Sequence, residues 1–147
     1  MVKNLQINCT VYKIEKIIIH RLISLLKREF HFNISSLNIN FISSAEITQI
    51  NKKYLRHNYS TDIITFNYSG SNDFIEGEIF ISEKDAELNA KKYKASFNEE
   101  ILRLVIHGIL HLLGFNDKNR NQKLEMKHYE NKLLNKYKNL LYAVKRI

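Results

Sequence analysis

The periodicities along this chain predict an α+β (α/β-like) sandwich: a small mixed sheet of about four strands packed against helices, with one helix buried. Three observations lead there. Segments of strand-like alternation are interleaved with segments of helical spacing. The stretch ending at Leu113 is apolar on almost every side, as a core helix is. The 147 residues contain no internal repeat, linker or low-complexity tract, so residues 1–147 are read as one domain around one core.

The elements follow in order. Leu5 to Val11 alternates, with Leu5, Ile7, Cys9 and Val11 on one face of a strand. Ile14 to Phe30 is an amphipathic helix whose apolar face carries Ile14, Ile17, Ile18, Leu22, Leu25 and Leu26. Leu37, Ile39 and Phe41 mark a second strand. Ser44 is expected to cap a short helix bearing Ile47, Ile50 and Tyr54. Asp62 to Phe66 is β-branched and aromatic, hence a strand. Asn67 to Glu76, with Gly70, Ser71, Asn72 and Asp73, reads as a loop, and Glu78 to Ile81 as the next strand. Ser82 caps a helix running to about Lys94. Ser96 or Asn98 caps the buried one, with Glu99 and Glu100 at its positive end. A last helix spans roughly Asn121 to Tyr142, with Leu124, Leu133, Leu134, Tyr137, Leu140 and Leu141 on its apolar side.

Composition narrows the function. No apolar run approaches the length of a membrane span, and the first ten residues lack the apolar stretch of a secretory signal. Cys9 is the single cysteine, which excludes internal disulfides and Cys-rich zinc modules. These features point to the cytoplasm and to no membrane partner. The net charge is +8, and from Lys118 to Ile147 nine Lys and Arg face only Glu125 and Glu130, a balance of +7. A basic segment suits a polyanion. The enrichment in Lys, Asn and Ile runs through the whole chain, however, so charge alone adds little.

The buried helix carries the chemistry. Its polar positions Arg103, His107 and His111 stand four apart and form one stripe. An imidazole in apolar surroundings needs a partner for its polar nitrogens, and one metal ion serves both rings. Gly114 can take a left-handed conformation that ends the helix and turns the chain, which would bring Asp117 to the same ion as third ligand. Three protein ligands leave a position open, as in catalytic sites. A His pair alone is a weak signal; this context strengthens it. The spacing His-x-x-x-His-x-x-Gly is shared with metzincin peptidases, but those have Glu directly after the first His. Gly108 stands there and cannot move a proton, which disfavours a metallopeptidase. His20, His31 and His128 read as ordinary surface or helix residues.

These residues resemble the YbeY family of metal-dependent endoribonucleases. The family signature is His-Gly-x-Leu-His-Leu-x-Gly-Tyr-Asp-His, and the run from His107 to Gly114 matches its first eight positions. Asn51 followed by Thr61-Asp62-Ile63-Ile64-Thr65-Phe66 is similar to a second family segment, and Gly77-Glu78-Ile79-Phe80-Ile81-Ser82 to a third. The resemblance covers about Ile50 to Glu130. It implies a single-strand-specific endoribonuclease that hydrolyses RNA phosphodiesters with a metal-bound water, in rRNA 3′-end maturation and ribosome biogenesis. It implies RNA (an rRNA precursor) as partner, with ribosomal proteins or the small ribosomal subunit beside it. The implied ligands are His107, His111 and Asp117 around one divalent ion, zinc first, with Mn, Fe or Ni as alternatives. No catalytic residue beyond them is assigned.

Two departures matter. The family's third ligand is usually His; Asp117 stands in that register, adds negative charge, and should leave bound water less acidic than a three-His set would. Such a set also suits harder metals. The family also carries an Arg where ungapped counting places Leu55, with Arg56 one residue later and His57 a further phosphate contact. The readings from other classes are a non-catalytic metal-containing RNA-binding assembly factor, a metallopeptidase, and a non-haem iron oxygenase, the last lacking the many strands expected of it.

Overall fold

A computed structural model of the chain describes residues 1–9, 14–71 and 73–143. Among these residues four strands and five helices follow in the order β1 (Leu5–Cys9), α1 (Lys16–Phe30), β2 (Asn33–Ile42), α2 (Ser44–Leu55), β3 (Ile63–Asn67), β4 (Phe74–Ser82), α3 (Glu83–Lys92), α4 (Phe97–Leu112) and α5 (Arg120–Ala143). The sheet order is β1-β2-β4-β3. β1, β2 and β4 are parallel, with Ile7 beside Ile39 and Ile39 beside Ile79, while β3 runs antiparallel to β4. The mixed four-stranded α+β architecture is therefore as the sequence predicts. The ends of two expected elements, Val11 and the Tyr142 side chain, lie outside the described residues, as do Asn72, Lys145 and Arg146.

Two strands are longer than alternation suggests. β2 starts at Asn33, and its register shifts between Ile34 and Ser36, an irregularity that breaks the period of two. β4 starts at Phe74, inside the segment expected as loop, because Phe74 and Ile75 pair with Asn33 and Ile34. The α2 cap is Ser43 rather than Ser44: its hydroxyl accepts from the Glu46 N–H while the Glu46 carboxylate reaches back, a capping box. For α4 the cap is Ser96, accepting from the Glu99 N–H.

The core lies between one face of the sheet and helices α1, α4 and α5, centred on Leu22, Leu37, Ile39, Phe41, Val105, Ile106 and Ile109. A smaller cluster of Ile42, Ile47 and Ile64 packs α2 on the other face. Ile17 is exposed and Ile19 and Ile23 are buried instead, so the α1 face is rotated from the expected one. Leu124 and Leu140 likewise face outward. Two glycines set the spacing of the layers. A Cβ on Gly108 would stand 2.8 Å from Ile79 Cδ1, and one on Gly77 would stand 2.5 Å from the Phe66 carbonyl oxygen and 3.0 Å from Leu112 Cδ2. The close approach of α4 to β3 and β4 depends on both.

Candidate metal centre

The turn after α4 brings the site together. Gly114 has φ 101°, its N–H bonds the His111 carbonyl at 3.0 Å, and the Phe115 N–H bonds the Leu110 carbonyl at 3.0 Å. This pair of bonds is a Schellman ending. Phe115 then turns away to meet Phe30 and Tyr129, with ring centroids 6.2 Å and 5.6 Å away, while Asp117 turns inward. Asn119 caps α5 by accepting from the Gln122 N–H at 2.8 Å.

One atom each from His107, His111 and Asp117 lies within 4.8 Å of the others. Asp117 Oδ2 is 3.5 Å from His107 Nε2 and 3.2 Å from His111 Nε2. A tetrahedral ion with bonds of about 2.0–2.1 Å spaces its ligands roughly 3.3 Å apart. The donor set therefore fits a small divalent ion with little rearrangement. Among the described residues His31, Asn116 and His128 are exposed and take no part in this group. His20 is a helix residue of α1, 7% exposed, and its Nδ1 accepts from the Val2 N–H.

A relay of buried charge supports the triad. Glu130, on α5, closes on His107 Nδ1. Its other oxygen accepts from Arg103 at 2.8 Å, and Arg103 forms a two-pronged pair with Glu100 at 2.6 and 2.9 Å. Glu100 and Glu130 are each 2% exposed, so the guanidinium between them offsets two buried negative charges. Burial opposes charge on Arg103, but the two carboxylates outweigh it and raise its pKa. Burial also works to lower the His107 pKa; the Glu130 carboxylate, with Asp117 and Asp62 behind it, outweighs burial and raises it. A carboxylate on Nδ1 leaves Nε2 as the ring's free donor, the usual arrangement behind a metal-bound histidine.

Arg103, on the polar stripe with the two histidines, is thus tied to Glu100 in the first turn of α4. Glu130 was not singled out. Its sign was its place on the apolar stripe Met126, Glu130, Leu133, Leu134 and Tyr137, where a lone acid needs a partner.

Asp62 was also missed as a site residue. It borders a cleft of about 350 Å³ with Thr61, Thr65, His107, His111 and Asp117. Asn89 donates to Asp62 at 3.0 Å and to Glu100 at 3.3 Å. The segment before Asp62 is pinned by the buried Asn51, whose amide donates to the Tyr59 carbonyl at 3.0 Å. Arg56 ends α2 in the left-handed conformation, φ 59°. Neither Arg56, Leu55 nor His57 lines the clefts at His107. Lys123 and Lys127 of α5 do line the larger of them, a groove of about 570 Å³ that opens beside His107 and Asp117. No helix among the described residues is long and apolar enough to cross a membrane.

Comparison with known proteins bears on the family and the fold. The family described as Endoribonuclease YbeY matches residues 2–138. A protein of Parabacteroides distasonis named Endoribonuclease YbeY is 45% identical over 94 residues, 64% of this chain and 66% of that protein. A protein of Chlorobium phaeobacteroides with the same name is 35% identical over 123 residues, 84% of this chain and 86% of that one. The solution structure of TM1509 from Thermotoga maritima superposes with a TM-score of 0.65 at 24% identity, covering 97% of this chain and 91% of that one. That likeness concerns the fold.

Proposed function

The chain belongs to the endoribonuclease YbeY family, and from that membership we propose that it hydrolyses phosphodiesters of single-stranded RNA at the His107–His111–Asp117 centre. The observation that carries this reading is the convergence of three donors with His107 held from behind by Glu130. A divalent ion held by these three residues, zinc first and Mn, Fe or Ni otherwise, would supply Lewis acidity at the scissile phosphate. The chain's own groups do the rest. Glu130 fixes the orientation of the His107 ring, and Arg103 holds the other Glu130 oxygen in place. Lys123 and Lys127 neutralise phosphates along the neighbouring groove.

The substrate proposed is a ribosomal RNA precursor processed at its 3′ end, met in the cytoplasm beside ribosomal proteins or the small subunit; the basic α5 suits that partner. Peptidase chemistry is disfavoured on steric grounds as well as by residue type. Position 108 packs against Ile79 and Ile63 of the sheet, so a general base there would have no room.

The test is metal analysis of the purified chain with RNA cleavage by wild type and His107→Ala side by side. Cleavage that depends on bound metal and disappears in the variant is expected. Equal cleavage by both means a contaminating nuclease and overturns the assignment. A metal-loaded chain that never cuts RNA, and unfolds when chelated, favours the non-catalytic assembly factor instead.

A further inference from the structure

We propose that the groove leading from His107 to Tyr93 is a nucleotide subsite, in which Tyr93 stacks the base next to the scissile phosphate while Lys123 and Lys127 hold the backbone of the strand. This rests on the endoribonuclease reading and adds to it a residue that selects single strands.

Continuity is the first ground. His107 and Asp117 line the same groove of about 570 Å³ as Tyr93 and Lys127, a size within the range of small-ligand pockets. Lys127 precedes Glu130 by three residues, about 4.5 Å along the helix, and Glu130 grips His107. Tyr93 therefore stands within reach of a nucleotide whose phosphate lies at the triad.

The second ground is the ring. Tyr93 ends α3 and is 52% exposed, a large aromatic left at the rim of a polar groove. Lys127 Nζ and Lys92 Nζ lie over the ring, 5.1 Å and 5.4 Å from its centroid, so an incoming base displaces an ammonium group from the face on which it stacks. An aromatic with cations beside it is the usual platform for single-stranded nucleic acid, because every base has a face to stack and every nucleotide a phosphate to neutralise.

The division of charge fixes the direction of the strand. Asp62, Glu99 and the Glu100–Arg103 pair line the groove on one side, whereas Lys123 and Lys127 line it from α5, beside Glu130, which Arg103 and His107 hold. Phosphates are repelled by Asp62 and Glu99 and drawn to Lys123 and Lys127. The uncharged base then turns toward Tyr93, and Asn131 and Asn135 offer amide groups to its edge. A base paired within a duplex is stacked on both faces and cannot occupy this position.

The experiment measures fluorescence anisotropy of a labelled single-stranded RNA oligonucleotide with the full chain, metal-free and metal-loaded, together with KM and kcat for its cleavage. Tyr93→Ala should weaken binding about tenfold in both metal states and raise KM more than it lowers kcat. Tyr93→Phe should restore binding, because the ring carries the contact. Lys127→Gln should reduce the slope of affinity against salt by about one. An oligonucleotide abasic at the position beside the cleavage site should lose the same factor with the wild-type chain, and nothing further with Tyr93→Ala. Wild-type affinity in Tyr93→Ala, equal weakening by Phe and Ala, or equal weakening toward a perfect duplex overturns the subsite. Persistent cleavage by His107→Ala overturns the hydrolase reading instead, and binding by the metal-free chain then decides the subsite separately.

Discussion

Glu130 binds His107 through Nδ1, and in doing so aims the ring's Nε2 at Asp117 from a helix 23 residues away. Removing the negative charge while keeping the shape tests what that contact does. Glu130→Gln should bind the divalent ion roughly 10- to 100-fold more weakly, the usual cost of losing a carboxylate behind a metal-bound histidine. Competition with a chromophoric chelator measures it. Unchanged affinity would mean that His107 is oriented by packing alone.

Arg103 carries the opposite risk. Its removal leaves Glu100 and Glu130 buried with no cation between them. Arg103→Ala should cost about 3–5 kcal/mol, the range for breaking a buried ion pair from one side. Urea unfolding gives the value, and a loss below about 1 kcal/mol would show that water reaches the carboxylates.

Asp117 separates ligand from bystander. Asp117→His should keep metal binding, since an imidazole is as good a donor in that place, while Asp117→Ala should weaken it. Calorimetric titration of the three proteins decides the matter. An Ala variant as tight as wild type would place the third ligand elsewhere, with Asp62, which borders the same cleft, the next to be tried.

The two close-packed glycines should differ. A Cβ on Gly77 meets a backbone carbonyl held by strand pairing, whereas one on Gly108 first meets the terminal methyl of Ile79. Gly77→Ala should therefore destabilise by about 2 kcal/mol or more, and Gly108→Ala by about 1, because a helical alanine recovers part of its strain. Thermal melts rank the two, and the reverse order would contradict the packing described.

His20 gives the fold a dependence on acid. Burial, then the nearby amino terminus, hold its pKa below the ordinary value, and its Nδ1 accepts from the Val2 N–H only while unprotonated. The unfolded chain takes up the proton first. The contribution is complete above the unfolded pKa of about 6.5 and is lost as pH falls through the lowered folded one. Urea midpoints of wild type should fall more steeply below pH 6.5 than those of His20→Gln, whose carbonyl can accept the same bond without titrating. Parallel curves would remove His20 from the account.

Much of the centre was readable because it lies within one helix and one turn. A helix apolar all round but for Arg103, His107 and His111 announces a buried polar stripe, and Gly114 announces the turn that returns Asp117. What escaped depends on how distant segments dock. Glu130 looks like one of two acids in a basic tail until α5 is laid against α4. Asp62 looks like a strand start until Asn51 pins the preceding loop at Tyr59. The start of β2 was hidden by its shifted register, and Arg56 had a plausible sequence position but borders neither cleft at His107.

The turn from Leu113 to Asn119 joins two donors on α4 to a third beyond the helix end, with the supporting carboxylate on α5. An ion shared by these pieces acts as a removable staple across the last third of the chain. Because an unfolded chain does not hold the donors together, free ion at 100 times its dissociation constant would add about 2.7 kcal/mol to the folded state. Metal supply and the abundance of folded protein would then rise and fall as one quantity.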